Sequence, residues 1–196
     1  MKKFFLMGAL ATLSTPVSAE VPLFKGDFNG FYFGPALAFG RTHMGVTNQR
    51  YRRTHLMMGG LAGYGQVFSE HLYAGLEVGA LHDIFSQKKE GQKVERNHQI
   101  EGVFRFGQVI QHNFLPYVGL GSAYTTYRMK TTTVNKSFHT TDLIADLGVD
   151  AFVKPQLMIR SSFRYHHALS SHASSPVVVQ KKPQSLLVKI GVSYIL

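Results

Sequence analysis

Apolar and polar residues alternate one for one over strand-length blocks along this chain, most plainly at its C-terminal end. In residues 186–196, Val188, Ile190, Val192, Tyr194 and Leu196 share one apolar face, while Lys189, Gly191 and Ser193 point the other way. Successive side chains of a strand leave on opposite sides, so the pattern predicts strands whose two faces meet different surroundings. Eight such blocks lie near 29–41, 54–68, 72–84, 97–110, 116–128, 140–153, 157–168 and 185–196. Their links alternate in length. Short ones fall at Ser69-Glu70-His71, Gln111–Leu115 and Lys154-Pro155-Gln156, and long polar ones at about 42–53, 85–96, 129–139 and 169–184. Gly59, Gly60, Gly63 and Gly65 blur the alternation of the second block and Pro35 interrupts the first, so a bulge is expected at each.

The N-terminal residues set the surroundings. Lys2-Lys3, the apolar run Phe4–Leu13 and the small residues Val17-Ser18-Ala19 have the layout of a secretory signal, cut after Ala19. That run is too short to span a bilayer as a helix, and no later stretch approaches the ~18 apolar residues a spanning helix needs. A membrane-embedded chain of this kind crosses with strands, which must close into a barrel to leave no unpaired edge. Removing the signal lowers the formal charge from +10 to +8 and leaves about 177 residues, or eight strand-plus-link units of roughly 22. The chain has no cysteine, which fits an exported protein that uses no disulfide. The expected organisation is a signal at 1–19, a periplasmic lead at 20–28 and an all-β, eight-stranded antiparallel up-and-down barrel at 29–196. Short turns and both termini face the periplasm, and long links face outward.

Four stretches carry a resemblance: Gly30-Phe31-Tyr32-Phe33-Gly34, Tyr73-Ala74-Gly75-Leu76-Glu77, Leu115-Pro116-Tyr117-Val118-Gly119-Leu120-Gly121 and the terminal strand. With these, the mature chain resembles the small eight-stranded outer-membrane barrels of the OmpA/OmpX type. The resemblance implies outer-membrane lipid and lipopolysaccharide as surroundings, the barrel assembly machinery as a partner, and a non-catalytic structural or surface-interaction role. The family's assembly signal usually ends in Phe, whereas this chain ends in Leu196 with Tyr194 before it.

An eight-stranded barrel is only wide enough inside for side chains to fill it, so inward charges must pair. Counting residues up from the periplasmic ends sets Glu77 level with Arg105, Asp150 with Arg160 and Asp146 with Arg164, while Lys189 projects into the same lumen. Including Glu101 and Asp142, four cations meet five carboxylates, which reads as a structural plug rather than an ion path.

The long links hold Arg41, Arg50, Arg52 and Arg53, then Lys88, Lys89, Lys93 and Arg96, then Arg128, Lys130 and Lys136, then Lys181 and Lys182. Offset by Glu90 and Glu95, they leave about eleven positive charges at one end, suited to lipopolysaccharide phosphates or host surface polyanions. Most histidines also fall near that end. His139, His166, His167 and His172 are the group to consider for metal or haem, although no pair has a firm ligand spacing and no cofactor is expected. A lipid A-modifying enzyme is the alternative of another class. Lipid A deacylase barrels carry a lipid-facing His and Ser two residues apart, with a carboxylate downstream. Here Leu169 stands where that Ser is needed after His167, and no Asp or Glu follows Asp150. Neither a zinc-finger nor a helix-turn-helix pattern accompanies the positive charge, so nucleic acid is not an expected partner.

Overall fold

The computed structural model describes residues 27–196 apart from 47–48, 70, 85–91, 132–134 and 174–178, and describes side chains except at 45–51, 70, 85–95, 129–136 and 172–181. The expected signal at 1–19 and most of the lead at 20–28 lie outside the described residues. Eight strands follow in order: β1 (Gly30–Val46), β2 (Gln49–Phe68), β3 (Leu72–Asp83), β4 (Gln92–Gln108), β5 (Phe114–Thr131), β6 (Asn135–Lys154), β7 (Leu157–Ala173) and β8 (Val179–Ile195). Each pairs antiparallel with the next, and β8 returns to β1 to close the barrel. Closure satisfies every ladder edge, which is the condition for strands to cross lipid.

The period-two pattern sorts side chains as the sequence implies. Phe31, Phe33, Leu37 and Phe39 of β1 lie exposed on the outer wall, as do Leu76 and Val78 of β3, Phe104 and Phe106 of β4, and Ile190, Val192 and Tyr194 of β8. On β1 the apolar outer positions run from 31 to 39, nine residues, which matches the ~9–11 a tilted strand needs to cross a membrane. Most strands are longer than that, at 17 to 20 residues. Much of what the sequence reads as long outer links is therefore strand: β1–β2 pairing continues to Val46↔Gln49 and β5–β6 pairing to Lys130↔Asn135. The barrel wall extends past the apolar belt on one side.

The expected bulges are absent from the places assigned to them. Pairing of β1 with β2 runs unbroken through Pro35↔Gly60 and Gly63. On its other side β1 pairs β8 at Phe33↔Tyr194 and again at Ala36↔Gly191 in the same register, so the missing proline donor falls in a local gap of that ladder. The β2 glycines answer a different need. Tyr32 and Tyr73 point into the lumen, and their ring ends occupy the space where Gly63 and Gly65 would carry a Cβ; Tyr117 does the same over Gly148. Bulges occur instead toward the strand ends, including one between Arg96 and His98 on β4 and one between Thr141 and Asp142 on β6–β7.

The mouth on the side of the short turns is closed by apolar side chains. Phe28, just ahead of β1, is 4% exposed and packs its ring against Phe152 at 4.6 Å and edge-on to Tyr73 at 6.4 Å. Val109, Leu115, Met158 and Ile195 complete this floor. Asn29 anchors the approach by accepting the Val67 N–H at 2.6 Å.

Two glycines four positions back and one position back from Tyr64 separate these roles. Gly63→Ala places a methyl group against both the Tyr32 ring and the Leu76 carbonyl, whereas at Gly60, on the outer wall, the nearest atom is 3.7 Å away. Gly63→Ala should lower the unfolding midpoint in detergent, by the ~1–3 kcal/mol typical of overpacking, and Gly60→Ala should leave it nearly unchanged; heat-modifiability on gels measures both.

Candidate functional site

The lumen above the apolar floor is built from the inward positions of β3, β4, β6, β7 and β8. Glu77 sits at its centre, 2% exposed. Its carboxylate lies 2.9 Å from Arg160, 2.9 Å from Arg164, 3.1 Å from Lys189 and 3.7 Å from Arg105. Glu101 takes the other side of Arg164 and the Lys189 ammonium, the latter at 2.6 Å. Asp146 and Asp150 stand directly opposite Arg164 and Arg160 in the β6–β7 register, with ion-pair distances of 2.9 and 3.2 Å. Tyrosine rings pack on the guanidinium groups: Arg105 lies 3.6 Å from the Tyr117 centroid and Arg160 lies 4.4 Å from that of Tyr32. A buried cation thus meets carboxylates at its edges and π-electron density on its face.

The level assignment for Glu77 and Arg105 needs correction. The β3–β4 register pairs Arg105 with Gly75, which leaves Glu77 two residues higher, opposite Val103. Arg105 bridges that offset with its long side chain, but its shortest ion pair is across the lumen to Asp150, at 2.5 Å. A void of about 10 Å³ beside Glu77, Arg160, Arg164 and Lys189 has room for one water, not for a diffusion path.

A second polar layer stands above the first. Arg96 is fully buried and donates to Gln99; Gln99 donates to Glu101 at 2.6 Å, and Thr125 donates to Asp142 at 3.1 Å. Arg96 lies 4.0 Å from Asp142 and His166 lies 3.8 Å from it. Higher still, buried His55 meets Asp83 at 3.1 Å. Arg96, read from sequence as a cation of the outer links, therefore belongs to the lumen. The physical reason is the bulge at Asn97, which lets Arg96 point inward although His98, two residues on, points outward. With Arg96 included, five cations meet the five carboxylates counted from sequence, below the His55–Asp83 pair and the buried guanidinium of Arg53.

The basic rim is divided in the same way. Arg52 and Lys182 are exposed, and Lys182 donates to the Leu169 carbonyl at 2.5 Å. Arg53 has its guanidinium nitrogens buried, which removes it from the exposed rim. The backbone places Arg50 on β2, Lys130 on β5, Lys136 on β6 and Lys181 on β8, but their side chains lie outside the described residues, as do Lys88 and Lys89 altogether. Arg41 adds an exposed cation on β1. Of the four histidines singled out from sequence, the β6–β7 register sets His139 and His172 opposite one another, while the described rings of His139, His166 and His167 do not converge. His166 is in the lumen, whereas His139 stacks on outward Tyr124 at 5.3 Å and His167 lies near outward Tyr165; His172 has no described side chain. Sequence parity had the signal needed here, since His166 and His167 are adjacent and must leave a strand on opposite faces.

Residues 5–195 match the model of the outer membrane protein β-barrel domain family. No curated protein matches the chain. Among solved structures, the barrel is similar to Neisserial surface protein A, with a TM-score of 0.60 and 15% identity over 86% of this chain and 98% of that one. It is also similar to Ail, the attachment invasion locus protein of Yersinia pestis, with a TM-score of 0.56 and 11% identity over 85% and 99% of the two chains. A second Ail structure, in complex with the heparin analogue sucrose octasulfate, aligns with a TM-score of 0.55 and 10% identity over the same shares.

Since Glu77 serves four cations at once, Glu77→Gln strands positive charge in a closed lumen. Removing one partner of a buried pair typically costs ~3–5 kcal/mol, so unfolding of Glu77→Gln in detergent and urea should shift by that amount. Arg105→Ala should also destabilise. The double variant should lose less than the two single losses added together, because both act on one network.

Proposed function

The chain belongs to the outer membrane protein β-barrel family and is an integral outer-membrane protein, and from that premise we propose that it acts without catalysis, as an envelope protein whose rim binds phosphate and sulfate groups. Lipopolysaccharide is the resident ligand and host surface polyanions are the external one. The observation that carries this reading is a segregation of charge. Every strand carboxylate with a described side chain faces the lumen, namely Glu77, Asp83, Glu101, Asp142, Asp146 and Asp150. Arg41, Arg52 and Lys182 instead lie outward on the adjacent strands β1, β2 and β8, beyond Phe39, Met58 and Leu186 of the apolar belt, and Arg128 adds an outward, half-buried cation on β5. That is the level of lipid headgroup phosphates, and no described carboxylate on the outer wall competes for these cations.

The absence of catalysis is supported by how the lumen groups are used. Its carboxylates and guanidinium groups are committed to one another, and His166 with Asp142 is buried away from lipid, where the deacylase arrangement needs a lipid-facing pair. Export through the signal at 1–19 and recognition of β8 by the assembly machinery complete the proposal. The complex with sucrose octasulfate belongs to Ail; for this protein it supplies the choice of a sulfated probe.

The test compares wild type with the Arg41→Ser/Arg52→Ser/Lys182→Ser variant, both refolded in detergent, for binding to immobilised lipopolysaccharide and to heparin over a range of salt. At about 1 kcal/mol per Lys or Arg near an anionic surface, the variant should lose about 3 kcal/mol, roughly a hundredfold, at low salt. Wild-type binding should itself fall as salt rises. Equal binding by the two proteins would overturn the rim as a binding surface, and a loss confined to heparin would remove lipopolysaccharide from the proposal.

A further inference from the structure

At the upper margin of the apolar belt, β3 and β4 bring His82 and His98 directly opposite one another in register, both exposed on the outer wall. Their Nδ1 atoms are 3.2 Å apart, with ring centroids at 4.7 Å and planes inclined by 31°. On β2, Met58 stands opposite His82 and also faces outward. Met58, His82 and His98 line one groove of about 330 Å³, floored by Gly59, Ala80 and Ile100.

We propose that His82 and His98 form a two-imidazole clip for a copper ion, with the Met58 thioether beside it in the groove. The argument begins with the bite. With metal–nitrogen bonds of ~2.0–2.1 Å, two nitrogens 3.2 Å apart subtend about 100–105° at the ion. That angle lies between the right angle of a square-planar site and the tetrahedral angle, a range that copper accepts. Rotation about χ2, which is broad for His, turns both lone pairs toward one point. The backbone register holds the two rings together before any ion arrives, so little ordering cost remains for binding.

The choice of metal follows from the donors. Imidazole suits copper, zinc and nickel; among divalent ions copper binds such nitrogens most tightly, and a neighbouring thioether favours copper further. Among the described residues, no three His, Asp or Glu side chains converge. The clip therefore supplies two protein nitrogens and leaves the remaining positions to water or to an external ligand, as an exchangeable site does. It differs from the rim cations in position and chemistry, because those lie on β8, β1 and β2 and attract anions.

The test is titration of Cu2+ alone into the folded, detergent-solubilised barrel, followed by electron paramagnetic resonance with 15N-labelled histidine. The expected result is one ion per barrel, showing coupling to two imidazole nitrogens. His82→Ala and His98→Ala, each shown to be folded by its heat-dependent gel shift, should weaken binding by about tenfold or more, and Zn2+ should compete at higher concentration. Coupling to a single nitrogen in wild type overturns the clip. So does unchanged affinity in the His82→Ala/His98→Ala double variant, which would assign the copper to another histidine.

Discussion

Everything inside this barrel depends on Glu77. Its carboxylate is reached from three other strands, by Arg105 of β4, Arg160 and Arg164 of β7, and Lys189 of β8. Ladder hydrogen bonds tie each strand only to its neighbours, so they fix circumference and register but do nothing across the lumen. The ion pairs of Glu77 with β7 and β8, and of Arg105 with Asp150, cross it. A chain that must present apolar residues to lipid has an inverted interior, and there the cross-barrel contacts that oil-like packing supplies in a soluble protein are supplied by charge. Such a network holds only if each member is satisfied, since a buried unpaired charge is among the most costly defects a fold can carry. The tyrosines meet part of that requirement by covering the flat faces of Arg105 and Arg160, where no carboxylate can reach. The inward glycines on β2 and β6 are the steric counterpart of those rings.

The barrel was legible from the sequence because the strand period is two and each lipid-facing position must be apolar, so one constraint is written into every strand. Turns at 69–71 and 155–156 were legible for a related reason: polar residues there break the apolar face. Limits appeared wherever a single residue shifts the parity. Counting charges left one lumen carboxylate in excess, and Arg96 supplies the missing cation; nothing local in Glu95-Arg96-Asn97-His98 announces the bulge that turns it inward. Depth counting failed for Glu77 and Arg105 because it fixes the heights of Cα atoms, whereas an arginine reaches a partner two residues away. The ends of the strands were hidden too. Polar residues at 42–46 or 129–131 read as loop, but once the barrel rises above lipid its outer wall no longer has to be apolar, and the ladder continues without the signal that identified it below.

The rim and the lumen are two consequences of one allocation. Strand carboxylates with described side chains are drawn inside to neutralise arginines, which leaves cations as the charged groups described on the outer wall. On β8, β1, β2 and β5 the described outward residues above the belt include Lys182, Arg41, Arg52 and Arg128, and on β3 to β7 they also include His82, His98, His139 and His167, with Tyr124 and Tyr165 nearby. A full positive charge attracts phosphate and sulfate over a distance set by salt. Imidazole and phenol rings suit the boundary differently, by keeping a polar edge in water while their faces rest on apolar neighbours.

Under the proposed rim binding, a phosphate-bearing headgroup would gain most where Arg41, Arg52 and Lys182 stand above Phe39, Met58 and Leu186, with acyl chains along the same apolar strip. Around β3 and β4 the outer wall offers a groove edged by the imidazole rings of His82 and His98 instead. Arg128, half-buried on the outer face of β5, adds a described cation elsewhere on the wall, so the positive charge is not confined to β8, β1 and β2. The two chemistries meet at one seam of the wall, because β2, which carries Arg52 and Met58, is hydrogen-bonded to β3, which carries His82.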